Sequence, residues 1–415
     1  MKAIFIVFIT LLCNVSISFA QLNLDECQQL ARENYPLIKQ FDLIEKSKEL
    51  NLSNAAKAYL PQFSISAMAN LVEGMPEISA PGTSSGSSHH QFVGIANLKQ
   101  SIWDGGATRA QKKIIEAQSE VEKQNIETLL YGIKERVNQL YFGILLIDEQ
   151  VKQLDILDVN LQQNMKRAET AYTNGIAFQS DLDAVKVEML NSEQSRINLL
   201  AQRGVYTDVL SIMINKTISI DTKFLPPADV TFAANQEINR PELRLYEQQR
   251  LLNNAQNMAI TSRNMPKIGL TGYAIGLTPG ISLGSSKMNR LLMAGVSLSW
   301  NIGGLYTKNN DHDIIRTNNL MINTQQETFL FNTNLELKQS EKQIERSKLL
   351  MQKDDEIIEL RERIKKSSET KYENGVCTMT DLIRDINTEN MARLNKALHY
   401  IEYLNNVYTH KTSLN

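Results

Sequence analysis

Gln62-Phe63-Ser64-Ile65-Ser66-Ala67-Met68-Ala69-Asn70-Leu71 changes side-chain character at every step. In an extended chain Phe63, Ile65, Ala67, Ala69 and Leu71 share one face, and Gln62, Ser64, Ser66, Met68 and Asn70 share the other. A period of two marks a strand with one apolar and one polar side. Leu60-Pro61 just ahead forces the change, because the residue before a proline is pushed towards extended backbone. About ten residues is also the length of a tilted β-strand that crosses a bilayer. The stretch therefore fits either a soluble sheet or one piece of a membrane barrel.

Three further segments read as its companions. Residues 92–103 place Phe92, Ala96, Leu98 and Ile102 on one face and Asn97, Lys99 and Ser101 on the other. Residues 267–277 have strand composition but poor alternation, with Gly269, Gly272 and Gly276 inside. Residues 291–302 alternate more cleanly, Leu292, Ala294, Val296, Leu298, Trp300 and Ile302 against Gly295, Ser297, Ser299 and Asn301. Gly-, Pro- and Ser-rich stretches at 74–90 and 278–290 read as the joining loops.

The companions are copies. Asn34-Tyr35-Pro36 returns as Asn239-Arg240-Pro241, Leu60-Pro61 as Met265-Pro266, and Trp103-Asp104-Gly105-Gly106 as Trp300-Asn301-Ile302-Gly303-Gly304. Tyr172-Thr173-Asn174-Gly175-Ile176 returns as Tyr372-Glu373-Asn374-Gly375-Val376, so four landmarks recur in one order about 200 residues later. Repetition on this scale means a large duplicated unit rather than a solenoid. Each copy reads as a helix, two strands and two long helices. The first copy spans 21–225, with strands at 62–71 and 92–103 and long helices at 105–172 and 179–215. A linker covers 226–238. The second copy spans 239–415, with strands at 267–277 and 291–302 and long helices at 305–372 and 379–412.

The helical tracts carry their own pattern. Leu130, Ile133, Val137, Leu140, Ile144, Ile147, Val151 and Leu154 step by threes and fours without an intervening proline. Such a seam makes helices supercoil against partners. At ~1.5 Å per residue the first tract would reach roughly 100 Å. In the first helix of the chain, Asn34-Tyr35-Pro36 is expected to break or kink the run. Asn174-Gly175 and Asn374-Gly375 read as turns, and Gly105-Gly106 and Gly303-Gly304 as the swing from strand to helix.

Composition removes several classes. Residues 1–20 carry Lys2, an apolar run too short to span a bilayer as a helix, and Ser18-Phe19-Ala20 where a signal peptidase would cut. The chain is thus expected to be exported. The formal net charge is −2, which offers no basic footprint for nucleic acid. Cys27 and Cys377, the cysteines left beyond 1–20, make no disulfide framework. The five histidines show no His-Glu-x-x-His spacing, and neither a phosphate loop nor a Gly-x-Ser-x-Gly elbow is present. No catalytic residue, metal ligand or cofactor site is expected, and the chain does not read as an enzyme. His89-His90 is a poor chelating pair, since adjacent residues do not share a surface.

Membrane strands must close into a barrel, because open edges leave backbone groups unsatisfied in lipid. Single-chain barrels begin at eight strands, so four cannot close alone. If these strands enter a membrane, several chains must each contribute four.

In their order and spacing, the duplicated landmarks, together with Ser180-Asp181-Leu182 and Thr380-Asp381-Leu382 after the turns, resemble the TolC family of outer-membrane efflux proteins. The likeness runs over nearly all of the exported chain. It implies an α+β membrane protein acting as a homotrimer, in which four strands per chain build a 12-stranded β-barrel in the outer membrane. A 12-helix α-barrel continues it into the periplasm. It also implies a passive duct of a tripartite efflux or type I secretion system, served by a periplasmic adaptor and an inner-membrane transporter. Polar side chains such as Gln62, Ser64, Ser297 and Ser299 would wet the lumen. The turns Asn174-Gly175-Ile176 and Asn374-Gly375-Val376 match the family's adaptor-contact tips. Asp181 and Asp381 match aspartates near its periplasmic aperture, where threefold symmetry would make an acidic ring that favours cations. Here Arg384 stands one helical turn after Asp381, with Asp385 beside it; Arg384 can pair with Asp381 or with a neighbouring chain. A capped, solvated helix end is the alternative for these acids. Trp103 and Trp300 fit either an interfacial belt or packing at the strand–helix junction. A periplasmic coiled-coil scaffold, or the adaptor itself, is the rival reading of the whole chain.

Overall fold

The computed structural model describes residues 21–71, 90–220, 222–227, 237–278 and 289–415. The expected export signal, both strand-joining loops and His89, and most of the inter-repeat linker lie outside them. In chain order the elements are β1 (Gln21–Leu22), α1 (Leu24–Asn34), α2 (Gln40–Ala56), β2 (Gln62–Leu71), β3 (His90–Trp103), α3 (Ala107–Thr173) and α4 (Gln179–Ile214). They continue as β4 (Lys223–Phe224), α5 (Pro241–Arg263), β5 (Lys267–Thr278), β6 (Asn289–Ser299), α6 (Leu305–Glu373) and α7 (Met379–Leu414). Proline sets two of the boundaries. α1 stops at Asn34, and a 3-10 turn at Pro36–Lys39 separates it from α2. Its counterpart Pro241 instead opens α5, where the missing N–H of proline costs nothing.

Contacts divide the chain into two compact units, and each sequence repeat contributes to both. One unit joins 40–125 to 242–327 and holds the sheet. Its four strands run in the order β2-β3-β5-β6, every neighbour antiparallel. The register carries the alternation of β2 across the sheet. Phe63 lies opposite Leu98, Leu98 opposite Gly272, and Gly272 opposite Ala294. Ile65, Ala96, Ala274 and Leu292 form the next row. The resulting face is almost wholly apolar and largely bare, with Ile65 73 %, Val296 73 % and Leu292 81 % exposed. Among the described residues β2 pairs only with β3 and β6 only with β5, so both outer edges of the sheet are open there.

The weak alternation of β5 has a steric cause. A Cβ on Gly269 would lie 2.8 Å from the Gln100 carbonyl oxygen of β3. Glycine is kept there for close approach at the expense of pattern. β6 ends at Ser299 rather than at 302, because Ile302–Gly304 wind into a 3-10 turn that leads into α6.

The other unit gathers the rest of the described chain, which is helical apart from one short parallel pair, β1 with β4. The seam read from α3 is its core. Val137, Tyr141, Ile144 and Leu145 are buried, as are Leu22, Leu24, Leu210, Leu404 and Val407 in the same unit. Each such Leu, Ile or Val contributes about 1.5–3 kcal/mol over leaving it in water. Tyr141 donates its hydroxyl to the carbonyls of Leu22 and Leu225 at 2.8 Å each, fastening the small sheet to α3. Cys27 sits in the same core as a free thiol, and burial pushes its pKa up to about 12. A second apolar cluster, with Leu157, Leu161, Val185, Met379, Leu382 and Ile386, packs near the turn-bearing ends of the long helices. No helix among the described residues is long and apolar enough to cross a membrane.

Candidate functional site

The two Asn-Gly turns are built alike. α3 ends at Thr173, and Gly175 takes φ 72°, the left-handed conformation that glycine adopts without strain. The Gly175 N–H then donates to the Tyr172 carbonyl at 2.9 Å and the Ile176 N–H to Ala171 at 2.9 Å. In the second copy Gly375 has φ 69°, its N–H donates to Tyr372 at 3.0 Å, and Val376 donates to Lys371 at 2.8 Å. This pairing is the Schellman helix stop. It sends apolar side chains outward: Ile176 is 74 %, Phe178 77 % and Val376 72 % exposed. Asn374 closes its turn further, donating its side-chain amide to the Thr370 carbonyl at 2.7 Å. The turns flank a cleft of about 580 Å³ whose wall includes Asn174, Phe178, Asp181, Tyr372 and Cys377.

Asp181 and Asp381 occupy the third position of α4 and α7. The Asp181 carboxylate accepts from the Phe178 N–H at 2.9 Å. In the second copy the exchange is reciprocal. Thr378 Oγ1 accepts from the Asp381 N–H at 3.2 Å, and the Asp381 carboxylate accepts from the Thr378 N–H at 3.3 Å and its hydroxyl at 2.6 Å. That is a capping box, and it satisfies backbone donors the helix would otherwise leave open. The Thr378 hydrogen bonds, with Arg384 adding to them, hold the Asp381 carboxyl below its ordinary range. Arg384 does pair with Asp381, Nη1 to Oδ1 at 3.3 Å, and also reaches Asp385 at 3.7 Å. Asp385 is turned away from solvent, its side chain 14 % exposed, and accepts from Ser368 Oγ on α6 at 2.6 Å. Of the four aperture candidates, then, Asp181, Asp381 and Arg384 stand at the helix starts, and Asp385 ties α7 to α6.

Beside them lies a group that the sequence does not advertise. Glu389 on α7, its side chain 3 % exposed, meets Lys365 on α6 at 3.3 Å and pairs with Arg393, which also pairs with Glu362. Asn387 donates to Glu188 on α4 at 2.7 Å. Glu389 and Lys365 are 24 residues apart across a turn. Only the excess of opposite charges on the two helices could have hinted at the pair.

The strand–helix junctions differ between copies. After Trp103, Gly105 and Gly106 take φ 70° and 85°. A Cβ on Gly105 would lie 2.6 Å from Met265 Cβ and 3.1 Å from the Ser262 carbonyl. Asp104 then starts α3. Its carboxylate accepts from the Thr108 N–H at 2.7 Å, the Gly106 N–H at 2.9 Å and the Tyr59 hydroxyl at 2.8 Å. Burial opposes its ionisation, but the hydrogen bonds from Thr108, Tyr59 and Gly106 outweigh that and keep the carboxyl below its usual range. Gly303 and Gly304 instead lie in the 3-10 turn and are not among the glycines with positive φ. Trp300 donates its indole N–H to the Asn264 carbonyl at 3.0 Å and remains 54 % exposed, while Trp103 is 42 % exposed. Trp300 is therefore pinned at the junction with part of its ring in the open. Among the described residues no cluster of His, Cys, Asp and Glu could hold a metal ion.

Known proteins share this arrangement. The sequence profile described as "Outer membrane efflux protein" matches residues 28–205, most of the first repeat. No curated protein matches the sequence significantly. Among solved structures, the outer-membrane channel OprN superposes with a TM-score of 0.70 at 14 % identity, over 94 % of this chain and 89 % of that one. The CmeC outer membrane channel of Campylobacter jejuni gives 0.65 at 14 % identity, over 94 % and 85 %. The open-state MtrE channel of Neisseria gonorrhoeae gives 0.64 at 15 % identity, over 94 % and 88 %. At these identities the superpositions speak for the fold, and the profile match is a likeness of the first repeat. Residues 28–205 are thus similar to the outer membrane efflux protein family, and the chain as a whole has the fold seen in the outer-membrane channels OprN, CmeC and MtrE.

Proposed function

We propose that three copies of this chain close into one passive duct that receives cargo from a periplasmic adaptor and an inner-membrane pump, and releases it outside the cell. The observation that carries the reading is the sheet. Four strands of membrane-spanning length present an apolar face and end in two unpaired edges. In lipid such edges must be paired, and identical neighbours supply the missing strands through a closed rotational symmetry. The family's relationship to adaptor and pump extends to this chain through the exposed apolar knobs Ile176, Phe178 and Val376. Ile176 and Val376 ride on Schellman stops and Phe178 on the N-cap of α4, and such knobs suit the groove of a helical hairpin. Asp385, accepting from Ser368 of α6, holds α7 in its place until a partner displaces it, while Arg384 bound to Asp381 screens that acid within α7. No catalytic step enters the account; the driving energy comes from the pump.

A photo-crosslinking residue at position 176 or 376, in living cells, tests the tip assignment. The expected product is a covalent adduct with a periplasmic coiled-coil protein. Crosslinks only to further copies of this chain would contradict it.

A further inference from the structure

The polar side of the sheet carries an uneven charge that the likeness to efflux channels does not supply. Across β2, β3, β5 and β6 there is no aspartate or glutamate at all. The cations are Lys99, Lys267 and Arg290. Register separates them. Lys99 lies opposite Gln62 on one side and Thr271 on the other, and Lys267 lies opposite Ser299, all on the polar face. Arg290, opposite Gly276, falls on the apolar face at the far end of the strands. Lys267 and Lys99 occupy levels of the same face about 13 Å apart, four residues at ~3.3 Å each. Both lysines are exposed, and no ion pair or hydrogen bond ties either down among the described residues. Two acids of the flanking helix starts are already committed. Asp104 is held by Thr108, Gly106 and Tyr59, and Asp311 by Arg263 at 2.5 Å.

In a membrane barrel the apolar face meets lipid and the polar face lines the lumen. We propose that Lys99 and Lys267, repeated by symmetry, form a carboxylate-free lysine belt at the helix-side end of the barrel lumen. The belt favours anions, so the preferred cargo bears carboxylate, phosphate or sulfate groups. The inference rests on the multi-chain duct proposed above. Rings of lysine select anions in pores as acidic rings select cations. The sign is opposite to that of the candidate ring at Asp181 and Asp381, so the two rings must be read separately.

The test uses the full chain in planar bilayers, with the Asp181→Asn/Asp381→Asn variant as reference so that those acids do not mask the barrel. The reversal potential is measured in a tenfold gradient of potassium chloride at low total salt, where screening is weak. The reference is expected to prefer chloride. Adding Lys99→Gln/Lys267→Gln should lower the chloride-to-potassium permeability ratio several-fold at similar conductance, and Lys99→Arg/Lys267→Arg should keep it. A cation-preferring reference would overturn the inference before any lysine is changed. So would an unchanged ratio in the glutamine variant. Absence of conductance in every form, wild type included, would overturn the duct reading itself, and the inference with it.

Discussion

Gly105 is constrained in two ways, by a left-handed φ and by Met265 lying where a Cβ would go. Gly303 has neither constraint, its nearest neighbour in that position being a side-chain oxygen at 3.5 Å. Gly105→Ala is therefore expected to destabilise the fold by more than about 1 kcal/mol, and Gly303→Ala to change little. Thermal melting of the two purified variants decides it, and equal losses would be contrary to this account. Asp104 supplies a second contrast. Removing a helix cap costs about 1 kcal/mol, so Asp104→Ala should melt earlier at neutral pH. The folded carboxyl lies below the unfolded value of about 3.9, so its contribution is complete above that value and fades as pH falls through the folded one. The gap between wild type and variant should accordingly close in acid. A gap that stays constant from pH 7 to pH 3 would show that ionised Asp104 is not the cause. At this scale the sequence was partly legible. Thr378-x-x-Asp381 can be read as a cap from spacing alone, but Asp104 gives no hint of its three donors, because Tyr59 is 45 residues away.

Elements show which sequence signals survive packing. The heptad seam of α3 became a buried stripe because a helix in water must hide such a face. Both turn positions were legible for a local reason, since Asn-Gly after a helix has few other uses. β5 was obscured because close strand approach selects glycine and erases alternation. The end of β6 was missed because Trp300, which continues the strand pattern, hydrogen-bonds back to Asn264 instead. The clasp of α7 on α6 lies between elements, beyond any periodicity. Glu389→Ala would leave Lys365 without its partner at a nearly buried site and Arg393 with Glu362 alone, and breaking such a buried pair costs about 3–5 kcal/mol. Hydrogen exchange across residues 365–393 should rise sharply in that variant. Protection equal to wild type would mean the pair holds nothing in place.

The molecule as a whole is an incomplete object. Among the described residues its sheet has an apolar face with no partner, and two edges with none. The two faces should respond differently to charge. Lysine at Ile65, midway along the apolar face, is expected to cost about 2–4 kcal/mol of membrane assembly, whereas lysine at Ser66, the next residue on the polar face, should be tolerated. The yield of folded protein in the outer-membrane fraction measures this, and equal yields would place both faces in the same medium. The most direct measurement is the subunit count, taken by native mass spectrometry of the detergent-extracted protein. The account predicts one species containing three chains. A stable single chain that needs no detergent would contradict it.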